Sequence, residues 1–323
     1  MYPVFSRPVF KYGIGFLILA LLAVFPLMGF TQYVYRIAVS SALYAILAIS
    51  LNLISGVAGQ ISLGHVAYYG IGAYTSALLV TKFGIPVWMG IFAALFVAAV
   101  FGFLIAIPSL KLSGGYLSII TMSFAEIIRL IELTWFDLTR GPMGILNIPK
   151  PEFFGIRLNT SGKYFYLVLI LGLATYAALG RIINSKFGRN LRALRDDELS
   201  AESMGINVYR HKVIAFVIAS AIAGMAGALY AHLMAFIDPS SFVSDESTVV
   251  LSMVVLGGMG SMNGAIIAAV ILTVLPEALR SFSEVRMLLY GGILVLMMLL
   301  KIMDWQSVKR SLKSALTFSV NRH

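Results

Sequence analysis

Glu126, Arg129 and Glu132 interrupt an otherwise apolar stretch, and they are the charged residues of the sequence best placed to do work there. Spacings of three and six put them on one helical face. Glu126 and Arg129 can pair, which lowers the cost of taking either out of water. A salt link that holds or gates the structure and a polar lining for a passing solute both fit this pattern; the link is the preferred reading, and Glu126 is read as the deeper of the two acids. Gln60, Ser62 and His65 form a second polar group beside Gly56 and Gly59. A packed, hydrogen-bonded His65 is favoured there over a proton carrier. No reaction centre can be assembled from these residues, because that requires nucleophile, base or metal ligands converging at one place. The histidines (His65, His211, His232, His323) are scattered without metal-ligand spacing. The absence of cysteine excludes thiolate chemistry and disulfides. No G-x-x-x-x-G-K-[ST] phosphate loop is present; GGMGSMNG at 257–264 is glycine-rich but no Lys-Ser/Thr follows it. No enzyme activity, cofactor or metal is therefore expected of this chain itself.

The elements that must position these residues follow from composition. Of 323 residues, 59% are hydrophobic and 12% charged, with a mean hydropathy of +0.91. A soluble domain carries about twice that share of charge to wet its surface, so most of this surface faces lipid. The net charge of +10 does not indicate nucleic acid, since the bases sit at the ends of apolar runs, where they set membrane topology. The N-terminal MYPVFSRPVFK enters a long apolar run without an A-x-A-like cleavage site. It is expected to begin a first helix that stays in place.

Apolar windows predict helices near 13–30, 34–54, 63–80, 87–107, 115–133, 163–181, 213–236 and 285–302. A stretch at 247–279 is too long for one simple helix and is interrupted at 257–264. Counted as two segments it brings the total to about ten, in an all-α polytopic membrane protein whose 1–323 form a single transmembrane domain. The connection 181–212 is the densest in Arg and Lys, which places it in the cytoplasm. Alternating outward, the N-terminus and the tail at 303–323 are also cytoplasmic, provided 247–279 crosses twice or re-enters, and the loop 134–162 lies outside. Two glycine-broken apolar regions, 55–74 and 256–269, occupy corresponding places in the two halves. Unwound backbone at membrane depth needs protein or a water-filled cavity to satisfy it, and a pair of such breaks points to a central pathway; close packing of small residues is the plainer alternative. Gln60, Ser62, His65, Glu126, Gly257, Gly258 and Gly260 are the pathway candidates.

The most polar segment, 184–212, reads NSKFGRNLRALRDDELSAESMGINVYRHK. Leu191, Leu194, Leu199 and Met204 recur at roughly helical spacing among its charges, and Gly205 is a natural stop. Its acids contribute little to orientation, so a helix lying on the membrane surface and docking a partner is favoured over a loop that only sets topology.

FGRNLRALRDDELSAESMGINVYRHKVIAFVIASAIAGMAGALYA (187–231) closely resembles the permease subunits of branched-chain amino acid ABC importers. The resemblance continues in GQISLGHVAYYGIGAY (59–74), GGYLSIITMSFAEIIRLI (114–131), TRGPMGILNIP (139–149) and LGGMGSMNGAIIAAVILTVLPEALR (256–280). It covers about four fifths of the chain in the same order, and is closer to the M-type than to the H-type permease. Ala265, the pair Ala268–Ala269 and the tail beginning KIMDWQSVKR depart from the family's usual pattern. The resemblance implies a heteromeric importer of the bacterial inner membrane: a second homologous permease, two ATP-binding subunits below and a periplasmic binding protein above. It also implies that a coupling helix within 184–212 seats in the ATPase, with Arg192, Ala193, Asp196, Asp197, Glu202 and Gly205 as its docking surface. Branched-chain or other hydrophobic amino acids are the expected cargo, with urea or short amides as the nearest rival. An ion-coupled secondary transporter is the alternative from another class; it would leave the 184–212 segment unexplained.

Overall fold

The computed structural model describes residues 25–109, 114–153, 156–158 and 160–279, with 291, 292 and 295 beyond. The first predicted helix, most of the last, both termini and the tail at 303–323 lie outside the described residues, apart from a short turn at Phe25–Leu27. The other predicted apolar segments are helices. With the polar segment included, the α-helices of six or more described residues are α1 Gln32–Leu51, α2 His65–Phe83, α3 Val87–Ser109, α4 Gly115–Thr134, α5 Ser161–Asn184, α6 Lys186–Asp196, α7 Glu198–Ser203, α8 Val208–Met234, α9 Ser244–Gly257 and α10 Met262–Ala278. Among the described residues, 32–57, 87–108, 161–184 and 208–234 are long and apolar enough to cross a membrane, and α10 is a shorter apolar helix. Described residues up to Val270 belong to one compact unit; from Ile271 the end of α10 belongs to a second.

Helix α3 shows which solvent the fold was built for. It is apolar all round, so periodicity of polarity cannot orient it. Size orients it instead: Ala94 and Ala98 are fully buried, whereas Phe92 is 71% and Phe96 68% exposed. Small side chains inward and large ones outward is the pattern of a helix packed in lipid, where close backbone approach supplies the contact energy. Its main partner is α8, which also lies along α1 and α2. At the α2–α8 crossing Gly72 meets Gly224, and a Cβ on Gly72 would run into the Gly224 backbone.

The loop after α4 meets the end of α8. It supplies β1 Ile145–Leu146, which pairs antiparallel with β4 Phe236–Ile237 just after α8; β2 Glu152–Phe153 and β3 Ile156–Arg157 form a separate hairpin. We call this the strand end. The opposite end, carrying α6 and α7, is the basic end.

Candidate functional site

The two glycine breaks come together at the basic end. Helix α1 runs into a π-helix, Asn52–Val57, and the chain stays non-helical until His65 opens α2. On the other side α9 stops at Gly257, turns through Gly258 and Gly260 with φ of +99° and +87°, and restarts as α10. The Gly260 backbone N–H donates to Asn52 Oδ1 at 2.8 Å. A Cβ on Gly56 would collide with both Asn52 Oδ1 and the Gly260 nitrogen, so the breaks approach at a distance only glycine permits.

A side chain from α6 closes this joint. Arg195 Nη1 donates to the Gly56 carbonyl at 2.6 Å, a charge-assisted bond of the stronger class. Its stem lies against Gly59, where a Cβ would come within 2.7 Å of Arg195 Cγ, and one on Gly260 would come within 3.4 Å of Nη1. Arg195 thus bonds the first break and lies beside the second, which joins the polar segment to this place. Both breaks sit at one place in the fold. They lie at the end of the long apolar run 32–57, beside α6, because that run uses nearly its whole length before it unwinds.

The polar segment is two helices, not one. Asp197, extended at φ −157° and ψ 113°, separates α6 from α7, and its carboxylate caps α7 by accepting from Ser200 N at 2.7 Å. Leu191 and Leu194 are buried, whereas Leu199 is 77% and Met204 84% exposed. The expected single ridge is therefore split: α6 turns its leucines to the helices, and α7 offers its apolar residues outward. Arg192 Nη2 donates to the Ile183 carbonyl at 3.1 Å, and the Ala193 carbonyl accepts from Asp197 N at 3.0 Å. Asp196, Glu202 and Gly205 are exposed, Gly205 with φ +81°. Further ties bind α6 and α7 to the start of α8. Lys212, only 2% exposed, donates to Glu198 at 2.6 Å; Phe187 stacks on His211 with ring centroids 5.3 Å apart.

Ser62 and His65 are buried beside the first break, and Gln60 is half-buried there. Ser50 Oγ donates to the Leu47 carbonyl at 2.8 Å and lies 2.7 Å from His65 Nε2, so that nitrogen carries the proton. His65 is thus a packed, hydrogen-bonded histidine. Its Nδ1 is left buried without a partner.

The trio on α4 divides. Arg129 grips Glu126 through Nε, 3.1 Å from each carboxylate oxygen, and through Nη2. This pair is half-exposed, and Glu126 accepts a long bond from Ser244 Oγ on α9 at 3.4 Å. Glu132 is instead the buried acid, 4% exposed and without a partner for either oxygen, lodged where a Cβ on Gly70 would come within 2.8 Å of Oε1. Six residues at 100° each turn a helix by about 240°, so Glu132 sits well round from Glu126.

Sequence reasoning read Arg195 only as a charge flanking the docking helix and passed over Asn52. Arg195 follows Leu191 by four, which places it beside the buried stripe of α6. Asn52 is the one amide in the otherwise apolar and small-residue run LAISLNLISGV; both signals were available.

The profile of the family described as branched-chain amino acid transport system / permease component matches residues 33–300. The high-affinity branched-chain amino acid transport system permease protein LivM of Salmonella typhimurium is 40% identical over 286 residues, 81% of this chain and 67% of that protein. Its Escherichia coli counterpart is 39% identical over the same shares. LivH of Salmonella typhimurium, also a permease protein, is 27% identical over 78% of this chain and 86% of its own. The matched region takes in both glycine breaks, the Arg195 joint and the polar segment, and the chain belongs to this family of multi-pass membrane permeases.

Proposed function

We propose that this chain is the channel-forming subunit of an ATP-driven importer of branched-chain or other hydrophobic amino acids in the bacterial inner membrane. It works beside a second homologous permease, with two ATP-binding subunits on the basic, cytoplasmic end and a periplasmic binding protein at the strand end. The coupling segment is α6–α7. The exposed face of α7, with Leu199, Glu202, Met204 and Gly205, together with Asp196, seats in the ATPase. Closure of the ATPase pair on ATP shifts this segment, and Arg195 carries the shift to both glycine breaks. Packed helices then exchange two discrete arrangements. A zwitterion unable to enter hydrocarbon unaided thereby gains a hydrated route open to one side at a time.

The observation that carries this reading is the Arg195 joint: one side chain of the surface segment reaches the backbone of one break and packs beside the other. The test is leucine uptake and ATP hydrolysis by the complete complex in proteoliposomes. Arg195→Ala removes a charge-assisted bond of about 1.5–3 kcal/mol. It is expected to cut amino acid moved per ATP by about tenfold or more while ATP hydrolysis continues. Unchanged uptake per ATP would sink the coupling role, and uptake abolished by an ionophore at constant ATP would place the chain in the ion-coupled class.

A further inference from the structure

The Glu126–Arg129 pair is in an unusual place for an exposed ion pair. Glu126 lies about 17 Å along α4 from its first residue, midway along a 20-residue helix that its apolar run predicts to span the membrane. The side chains are nevertheless 43% and 26% exposed, respectively. Exposed charges at that depth are sustained only where they face a water-filled cavity or another protein surface. Their neighbours share this exposure. Ser123, one turn back on α4, is open, as are Asp245 and Thr248 on α9, with Ser252 half-open one further turn along. The other face of α9 is closed: Ser247, Val250, Met253 and Val254 are buried, and Ser247 Oγ accepts from Val66 N at 3.1 Å. Ile119, Met122 and Leu130 are exposed on the same face of α4, so the two helices turn a stripe of polar residues edged by apolar ones to the open side, and Ser244 ties them together at Glu126.

We propose that this stripe is the wall of the solute route and that Glu126 and Arg129 are its contact for the two charges of an α-amino acid, a deepening that rests on the function proposed above. The guanidinium is a fork matched to a carboxylate, which in the empty state it spends on Glu126. An incoming zwitterion offers the same two charges in the opposite sense, its carboxylate for Arg129 and its ammonium for Glu126. Exchange of one internal pair for two external ones keeps every charge compensated, so no bare ion is left at membrane depth. A neutral amide such as urea has no net charges to exchange, and the pair discriminates against it. Because Ser244 opens α9 and Gly257 ends it, the same helix links this contact to the Arg195 joint.

The experiment is a double-mutant comparison in the reconstituted complex, reading leucine uptake alongside ATP hydrolysis stimulated by the binding protein. Glu126→Gln, Arg129→Gln and the double variant are compared with wild type. A zwitterion contact predicts that each single variant loses about tenfold in uptake and that the double is no better than either, with stimulated hydrolysis retained. A link that only holds the fold predicts the opposite order, because the double variant leaves no unpaired charge. Double-variant uptake near wild type therefore overturns the proposal, and so does loss of stimulated hydrolysis in step with uptake. Arg129→Lys, which keeps the charge and loses the fork, is expected to fall between. Failure of the wild-type complex to move any amino acid would instead defeat the function reading, before the variants are compared.

Discussion

The two ends of the molecule are tied by different chemistry. At the strand end the ties are short and dispersed; one is charged, Lys82 Nζ donating to the Asp137 carbonyl at 2.7 Å, beside neutral ones. His232 Nδ1 donates to the Pro149 carbonyl at 2.6 Å, which leaves Nε2 to accept from Ser76 Oγ at 2.8 Å. Beside them β1 and β4 pair, and Tyr164 donates to the Leu229 carbonyl at 2.6 Å. At the basic end, α6, the first break and the second break meet through one guanidinium and one amide oxygen. Many independent buried bonds make an end that holds its shape. A joint that hangs on one long charged arm can be released by moving that arm. Under the function proposed above, the strand end holds its shape and the basic end moves.

The largest effect is expected from Gly56→Ala, since its Cβ has no room against Asn52 and Gly260. Uptake should fall below detection while the protein still inserts; normal uptake would mean that the breaks separate easily and are no joint. Next, Glu198→Ala strands the Lys212 ammonium. Breaking a buried pair costs about 3–5 kcal/mol, and Glu198 is itself 43% exposed, so a loss in the lower part of that range is expected, read as earlier thermal unfolding. Ser76→Ala leaves His232 Nε2 buried and unpaired, at about 1–3 kcal/mol. The melting temperature should drop while amino acid moved per ATP stays constant. A change in that ratio would break the contrast between the two ends.

The smallest effect belongs to Asp197. The hydrogen bond from the Ser200 N–H holds its carboxyl below the ordinary aspartate range. The cap is therefore fully present above the unfolded-state value and is lost as pH falls through the depressed folded one. Hydrogen exchange should show the amides of α7 losing protection only in that acid window. Asp197→Asn, which keeps a capping oxygen, should remove the pH dependence.

Much of this architecture is written in local patterns. The helix starts and stops of α2 through α5 and the interruption at 257–264 follow apolar runs and their glycines, because lipid demands continuous apolar length. The polar segment announces itself by charge alone. Its internal break does not, since Asp197 serves equally as a helical surface residue or as a cap, and only the seating of Leu191 and Leu194 against the helices decides between them. The acids of α4 were misjudged for a similar reason: which carboxylate is buried depends on the neighbour that covers it, here Gly70 on α2.

By itself, then, the order of residues determined the solvent of this protein, the length and sequence of its helices and the presence of a charged segment among them, since each depends on composition over a few turns. Tertiary structure decided that Arg195, Gly56 and Gly260 would meet and that Glu126 would face outward while Glu132 was enclosed. Those outcomes depend on contacts between residues far apart in the chain, and no local pattern encodes which distant backbone a long side chain will reach.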